Sequence, residues 1–199
     1  GELLLIGPSP LQQSRTCISG RSCHLHPLDG IYTSSSDVQI LDTCGVSRAE
    51  DGELPRVVAG NASRGASANN GSPVMMTGGQ YRLCWCEALE LAENASHRCL
   101  STAQWVVDVG EMFVIGISPM HSQHHTCVVG MSCTVNGITG HVSSGDGLLV
   151  FETCGTASLV AGFHDTPIST ATDGWLTVSW PRVTAQAGRY RMCWCSGED

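Results

Sequence analysis

The sequence has 199 residues, a formal net charge of −8, charged residues at 14% and eleven cysteines. So acidic a chain presents no cationic surface to nucleic acid or an anionic membrane, and both are excluded as expected partners. Cysteine usage this dense, with few charges, excludes a reduced cytosolic setting and points to an oxidising compartment where disulfides persist.

Gly1-Glu2-Leu3-Leu4-Leu5-Ile6-Gly7 opens the chain and, with Ser9-Pro10, returns as Gly110-Glu111-Met112-Phe113-Val114-Ile115-Gly116 with Ser118-Pro119. A duplication at this scale sets the domain count before any element is assigned. Cys17, Cys23 and Cys44 reappear as Cys127, Cys133 and Cys154, and Tyr81-Arg82-Leu83-Cys84-Trp85-Cys86 reappears as Tyr190-Arg191-Met192-Cys193-Trp194-Cys195. The offset stays at 109 or 110 residues, which predicts two domains, 1-110 and 111-199, each large enough for its own core. The first copy holds six cysteines and the second five, because the partner of Cys99 would fall beyond Asp199. The second domain is therefore expected to lack its last strand. The chain is then a piece of a longer array, or a subunit whose last domain another molecule completes.

Along the first copy, Cys23-His24-Leu25-His26 has the spacing of metal ligands. His24 and His26 align with Thr134 and Asn136, outside the shared framework, so they are expected as solvated loop residues with no metal. Thr33, Ser34, Ser35 and Ser36 form a candidate O-glycosylation cluster. Val38-Gln39-Ile40-Leu41 predicts a strand, although its apolar alternation is muddled. Asn61-Ala62-Ser63, Asn70-Gly71-Ser72 and Asn94-Ala95-Ser96 are sequons, which makes Asn61, Asn70 and Asn94 candidate N-glycosylation sites of a secreted chain. The glycine-rich stretch 71–79 has no strand-then-helix context for a phosphate loop.

The Tyr-Arg-Leu-Cys-Trp-Cys segment predicts a strand on which Tyr81, Leu83 and Trp85 share one face and Arg82, Cys84 and Cys86 the other. The aromatic face is the better core candidate. The two cysteines would then lie on the outer face and staple this strand to its neighbours, one ending near Cys44 and one beginning after Cys99. This predicts Cys44–Cys84 and Cys86–Cys99, with Cys17–Cys23 as a local clip, out of many connectivities that six cysteines allow. The counterparts are Cys127–Cys133 and Cys154–Cys193. Cys195 is left over, to be paired beyond Asp199, paired with another chain, or free.

A strand at Gln104–Val109 closes the first copy. The apolar run from Trp105 to Ile117 is too short to span a bilayer and carries Asp108 and Glu111, so no membrane insertion is expected in this segment. Further strands are predicted at Met112–Ile117, Cys133–Ile138, Gly147–Thr153, Trp175–Trp180 and Gly188–Cys195. His121, His124 and His125 align with Leu11 to Arg15 and again read as loop histidines. His164 and Asp165 sit among serines without a nucleophile motif, so no enzyme activity and no cofactor beyond covalent glycans is expected. Trp175 and Trp180, five residues apart, fall on opposite faces of their strand, and one of them is a candidate sugar-stacking surface.

About seven short strands in each hundred residues, punctuated by Gly, Ser, Asn and Pro, predict an all-β fold of two tandem immunoglobulin-like β-sandwich domains, stapled by disulfides. The Tyr–Cys spacing of three is longer than in antibody domains, which favours a divergent or IPT/TIG-like version. The repeated Gly-x-Tyr-Arg-x-Cys-Trp-Cys motif, at Gly79–Cys86 and Gly188–Cys195, resembles that of large protist surface proteins, alveolate and algal, built from cysteine-rich repeats. The resemblance implies an extracellular or cell-surface structural role in an array, fibre or cell coat. Its partners would be further copies of itself or adjacent repeats of the same chain. The alternative is an adhesin or receptor ectodomain that binds glycan or protein through its loops.

Overall fold

The structure, a computed structural model, describes residues 1–32, 36–46, 66–67, 72–87, 90–91, 95–96, 99, 101–172 and 174–197. Among them there is no α-helix, only a 3₁₀ turn at Thr102–Gln104. The strands are β1 (Gly7–Pro8), β2 (Arg15–Ile18), β3 (His24–Leu25), β4 (Gly30–Ile31), β5 (Ser36–Leu41), β6 (Ala66–Ser67), β7 (Gly79–Glu87), β8 (Glu90–Leu91), β9 (Ala95–Ser96) and β10 (Val107–Ile117), followed by β11 (Cys133–His141), β12 (Gly147–Phe151), β13 (Ile168–Thr172), β14 (Trp175–Trp180) and β15 (Arg191–Cys195). No helix among the described residues is long and apolar enough to cross a membrane. The chain divides into two compact units, Gly1–Met76 with Gln80–Val114 and Thr77–Gly79 with Ile115–Asp199. The division falls inside β10, between Val114 and Ile115.

In the first unit β7 lies between β5 and β10, and β2 also pairs with β10. Period-two alternation turns Val38 and Ile40 of β5, Leu83 and Trp85 of β7 and Met112 and Val114 of β10 into one core, which Val109 joins across a break of phase at Gly110. The opposite face of β5 and β7 is covered as well: Leu41, Cys84, Cys86 and Cys99 pack with Trp105 into a second buried cluster. The cysteine face expected to be the outer one is therefore buried. This also accounts for the muddled alternation of the third strand, since Leu41 belongs to the second cluster while Val38 and Ile40 belong to the first.

The two strands expected at Gln104–Val109 and Met112–Ile117 are one continuous strand, β10. Gly110 permits this, because the Gln13 amide donates to the Val109 carbonyl at 2.7 Å. A Cβ at position 110 would stand 2.7 Å from that same Gln13 nitrogen, and φ there is +150°.

In the second unit the sheet order is β10-β11-β14-β13, and β12 pairs separately with β15. Val135 and Ile138 of β11, Leu176, Val178 and Trp180 of β14 and Leu148 and Val150 of β12 meet in one core, with Met192 and Trp194 of β15 packed against it. Strand β13 was not anticipated: its Ile-Ser-Thr-Ala-Thr sequence carries almost no apolar signal because it is an edge strand.

The same side-chain bridge pins the start of each unit. Gln13 Nε2 donates to the carbonyls of Pro10 at 2.7 Å and Asp29 at 2.8 Å, while its Oε1 accepts from the Asp29 amide at 2.6 Å. Gln123 does the same with Pro119 at 2.9 Å and Thr139 at 3.0 Å and 2.7 Å. Each glutamine follows a cis Ser–Pro bond, Ser9-Pro10 or Ser118-Pro119.

Candidate functional site

The two Cys-Trp-Cys strands are the most differentiated features of the chain. Strand β7 is antiparallel to β5 with Gln39 opposite Cys84, Val38 opposite Trp85 and Asp37 opposite Cys86. Strand β15 is antiparallel to β12 in the same register, with Leu149 opposite Cys193, Leu148 opposite Trp194 and Gly147 opposite Cys195. Bridges join Cys17–Cys23, Cys44–Cys84, Cys86–Cys99, Cys127–Cys133 and Cys154–Cys193. Cys195 is free and exposed.

What differs is the second neighbour. β7 is paired on its far side with β10, whereas β15 pairs with β12 alone among the described residues. Arg82 of β7 holds Asp108 of β10 in a two-pronged ion pair, both contacts at 2.8 Å. Its counterpart Arg191 is exposed. Leu83 and Trp85 are buried, while Met192 and Trp194 are only half-buried. Residues 125–128 align with β2 and form no strand. Cys127 is half-buried and Val128 exposed where Cys17 is buried and Ile18 half-buried.

The end of the second unit is tied down by a buried carboxylate. Asp146, 1% exposed, accepts from the Ser143 amide at 2.9 Å, the Ser143 hydroxyl at 3.0 Å, Trp194 Nε1 at 3.1 Å and the Gly197 amide at 2.9 Å. Four donors saturate it, so it has no capacity left for a ligand. The aligned residue in the first unit is Ser36, whose hydroxyl is turned to the Glu87 carboxylate, and the buried Trp85 Nε1 has no hydrogen-bond partner there.

Other residues singled out in the sequence do not converge. His24, His26, His121, His124 and His125 are all exposed, and no group of three metal-ligating side chains occurs among the described residues. His164 Nδ1 contacts Asp165 at 3.3 Å and the Thr166 hydroxyl at 2.9 Å, an exposed local cluster with no serine in it. Ser36, the last residue of the candidate O-glycosylation cluster, is buried at the start of β5 with its hydroxyl turned to the Glu87 carboxylate. Thr33, Ser34, Ser35, Asn61, Asn70 and Asn94 lie outside the described residues. Trp180 is 1% exposed and Trp175 53%, with the ring of Trp175 lying over Gly137.

A comparison with protein-family models and with curated proteins finds no match to this chain. The groups available at the Cys-Trp-Cys strands are backbone donors and acceptors along an edge, an apolar face beside it and the Cys195 thiol.

Proposed function

We propose that the chain is a structural module of a glycosylated extracellular array, fibre or cell coat, built from two immunoglobulin-like domains. The observation that carries this reading is that both units repeat one disulfide-stapled scaffold with the Cys-Trp-Cys strand in the same register on its neighbour, while the histidines without a counterpart, His24, His26, His121, His124 and His125, are exposed and scattered. The five disulfides favour an extracellular location.

Strand order supports the immunoglobulin-like assignment. The order β10-β11-β14-β13 corresponds to the A-B-E-D sheet of such domains, and β5-β7-β10 to their C-F-G sheet. The Tyr190 hydroxyl donates to the Gln186 carbonyl at 2.8 Å, which has the form of a tyrosine corner before the F strand. Electron microscopy of the native material tests the function: regular end-to-end or lateral contacts between copies are expected. Dispersed monomers together with specific binding on glycan arrays would abandon the structural reading for the adhesin. The exposed indole of Trp175 favours that second reading, since a flat aromatic face stacks on sugar rings.

A further inference from the structure

We propose that the outward face of β14, with the strands on either side of it, is a binding platform for an extended, uncharged polysaccharide, on which the Trp175 indole stacks. The proposal goes beyond the structural-module reading and does not depend on it, since a coat element and an adhesin can both carry such a face.

The register of β11, β14 and β13 places the side chains. Alternation along β14 turns Leu176, Val178 and Trp180 into the core and leaves Trp175, Thr177 and Ser179 on the other face. Thr134 of β11 and Ile168 of β13 stand opposite Ser179, and Thr170 of β13 stands opposite Thr177. Between Val135 and Ile138 the ladder slips, so that Asn136 and Gly137 together oppose Thr177. Gly137 has φ +74° and no Cβ, and one placed there would stand 3.2 Å from the six-membered ring of Trp175. The indole thus rests against the bulge instead of swinging free, and it is still 53% exposed. A ring this large, seated by a bulge and left in water, is the preorganised half of a stacking contact.

The chemistry of this face selects its ligand. Strands β11, β13 and β14 carry no Asp, Glu, Lys or Arg, in a chain whose formal net charge is −8. A polyanion or a cationic peptide therefore finds no complementary charge on them. What the face offers is one flat ring, the Ile168 side chain and neutral hydroxyl and amide groups. Thr134 and Ser179 share a hydrogen bond at 3.0 Å, and among the described residues none engages the side chains of Asn136, Thr170 or Thr177. A pyranose matches these groups: the apolar C–H groups of its faces stack on an indole, and the hydroxyls around its rim exchange hydrogen bonds with Asn and Thr. From Trp175 to Ser179 the strand advances about 14 Å, room for roughly two or three such rings. A platform of that length takes the interior of a chain rather than a single terminal sugar.

The test uses the 199-residue protein and its Trp175→Ala variant, which loses an exposed ring and is expected to keep its far-UV circular dichroism and urea midpoint. Calorimetric titration with cellohexaose, xylohexaose, mannohexaose and laminarihexaose is expected to give a Kd below about 1 mM for at least one of them. Trp175→Ala is expected to weaken that binding at least about tenfold and Thr177→Ala about threefold. Trp175→Phe, which keeps a smaller ring, is expected to fall between Trp175→Ala and the unchanged protein, and the matching disaccharide to bind more weakly than the hexasaccharide. A panel that gives no Kd below about 1 mM overturns the proposal, as does binding that Trp175→Ala leaves unchanged. Polygalacturonate bound in place of the neutral probes overturns the uncharged ligand class. A free high-mannose N-glycan that binds as tightly as the best hexasaccharide overturns the extended-chain assignment in favour of glycan ends. Loss of self-association in Trp175→Ala, with every probe inert, makes the face a contact between copies instead. Native fibres combined with inert probes remove this site and leave the module reading intact, whereas probes that bind a protein which never assembles keep the site and remove that reading.

Discussion

At the scale of single residues, the two units diverge where one has a carboxylate and the other a hydroxyl. Asp146 accepts from the Ser143, Trp194 and Gly197 donors, so Asp146→Ala removes the acceptor of three partly buried N–H groups at once. The expected loss is about 3 kcal/mol in urea unfolding, with a red shift of Trp194 emission. A loss below about 0.5 kcal/mol would show that water satisfies those donors instead. A second residue-scale expectation concerns Tyr32. Burial pushes its phenol above the ordinary tyrosine value, aided by the Asp29 carboxylate and opposed by the Gln13 hydrogen bond and Arg15. The folded state thus resists deprotonation more than the unfolded chain does. Its contribution to stability is complete below about pH 10 and is lost as pH rises through the higher folded value. Tyr32→Phe is expected to flatten that part of the alkaline stability profile, and absorbance titration of the phenol gives the direct check.

At the scale of elements, β7 is covered on both faces, and the bridge that staples it can be compared with the local clip of the first unit. Cys44–Cys84 closes a separation of 40 residues and Cys17–Cys23 one of 6. Chain entropy alone makes the first worth about 4 kcal/mol and the second about 2 kcal/mol. Replacing each pair by alanines and comparing denaturant midpoints tests the ordering, and equal losses would contradict it. Trp105, 1% exposed, roofs the disulfide cluster, and Trp105→Ala is expected to cost about 3–5 kcal/mol and to accelerate hydrogen exchange in β7. Unchanged exchange there would mean that the disulfides hold the strand without the roof. The longer strands β7, β11, β12, β14 and β15 were legible in the sequence, including Trp175–Trp180 with its exposed and buried tryptophans, whereas two- to four-residue strands such as β1–β4 are too short to show a period. Strand β13 was not, because an edge strand of Ser, Thr and Ala leaves no apolar period to detect.

For the molecule as a whole, the cysteines give a simple readout. Alkylation of the native, non-reduced protein is expected to add one label, at Cys195, and full reduction to expose the ten bridged thiols and unfold both units. More than one label before reduction would show a bridge absent from the native material. The duplication, the all-β character and the assignment of Cys84 and Cys86 to one face were available from spacing and period two alone, since these are local properties of an extended chain. Three things were not. The cysteine face proved buried because Trp105, distant in sequence, folds over it. The two strands expected at Gln104–Val109 and Met112–Ile117 proved to be one continuous strand, β10. The seven opening residues read as the first half of a duplicated motif, yet only solvent exposure distinguishes them from their counterpart: Leu3 and Leu5 lie in water where Met112 and Val114 are enclosed. Burial depends on which distant segments meet, and no local pattern in the chain records that.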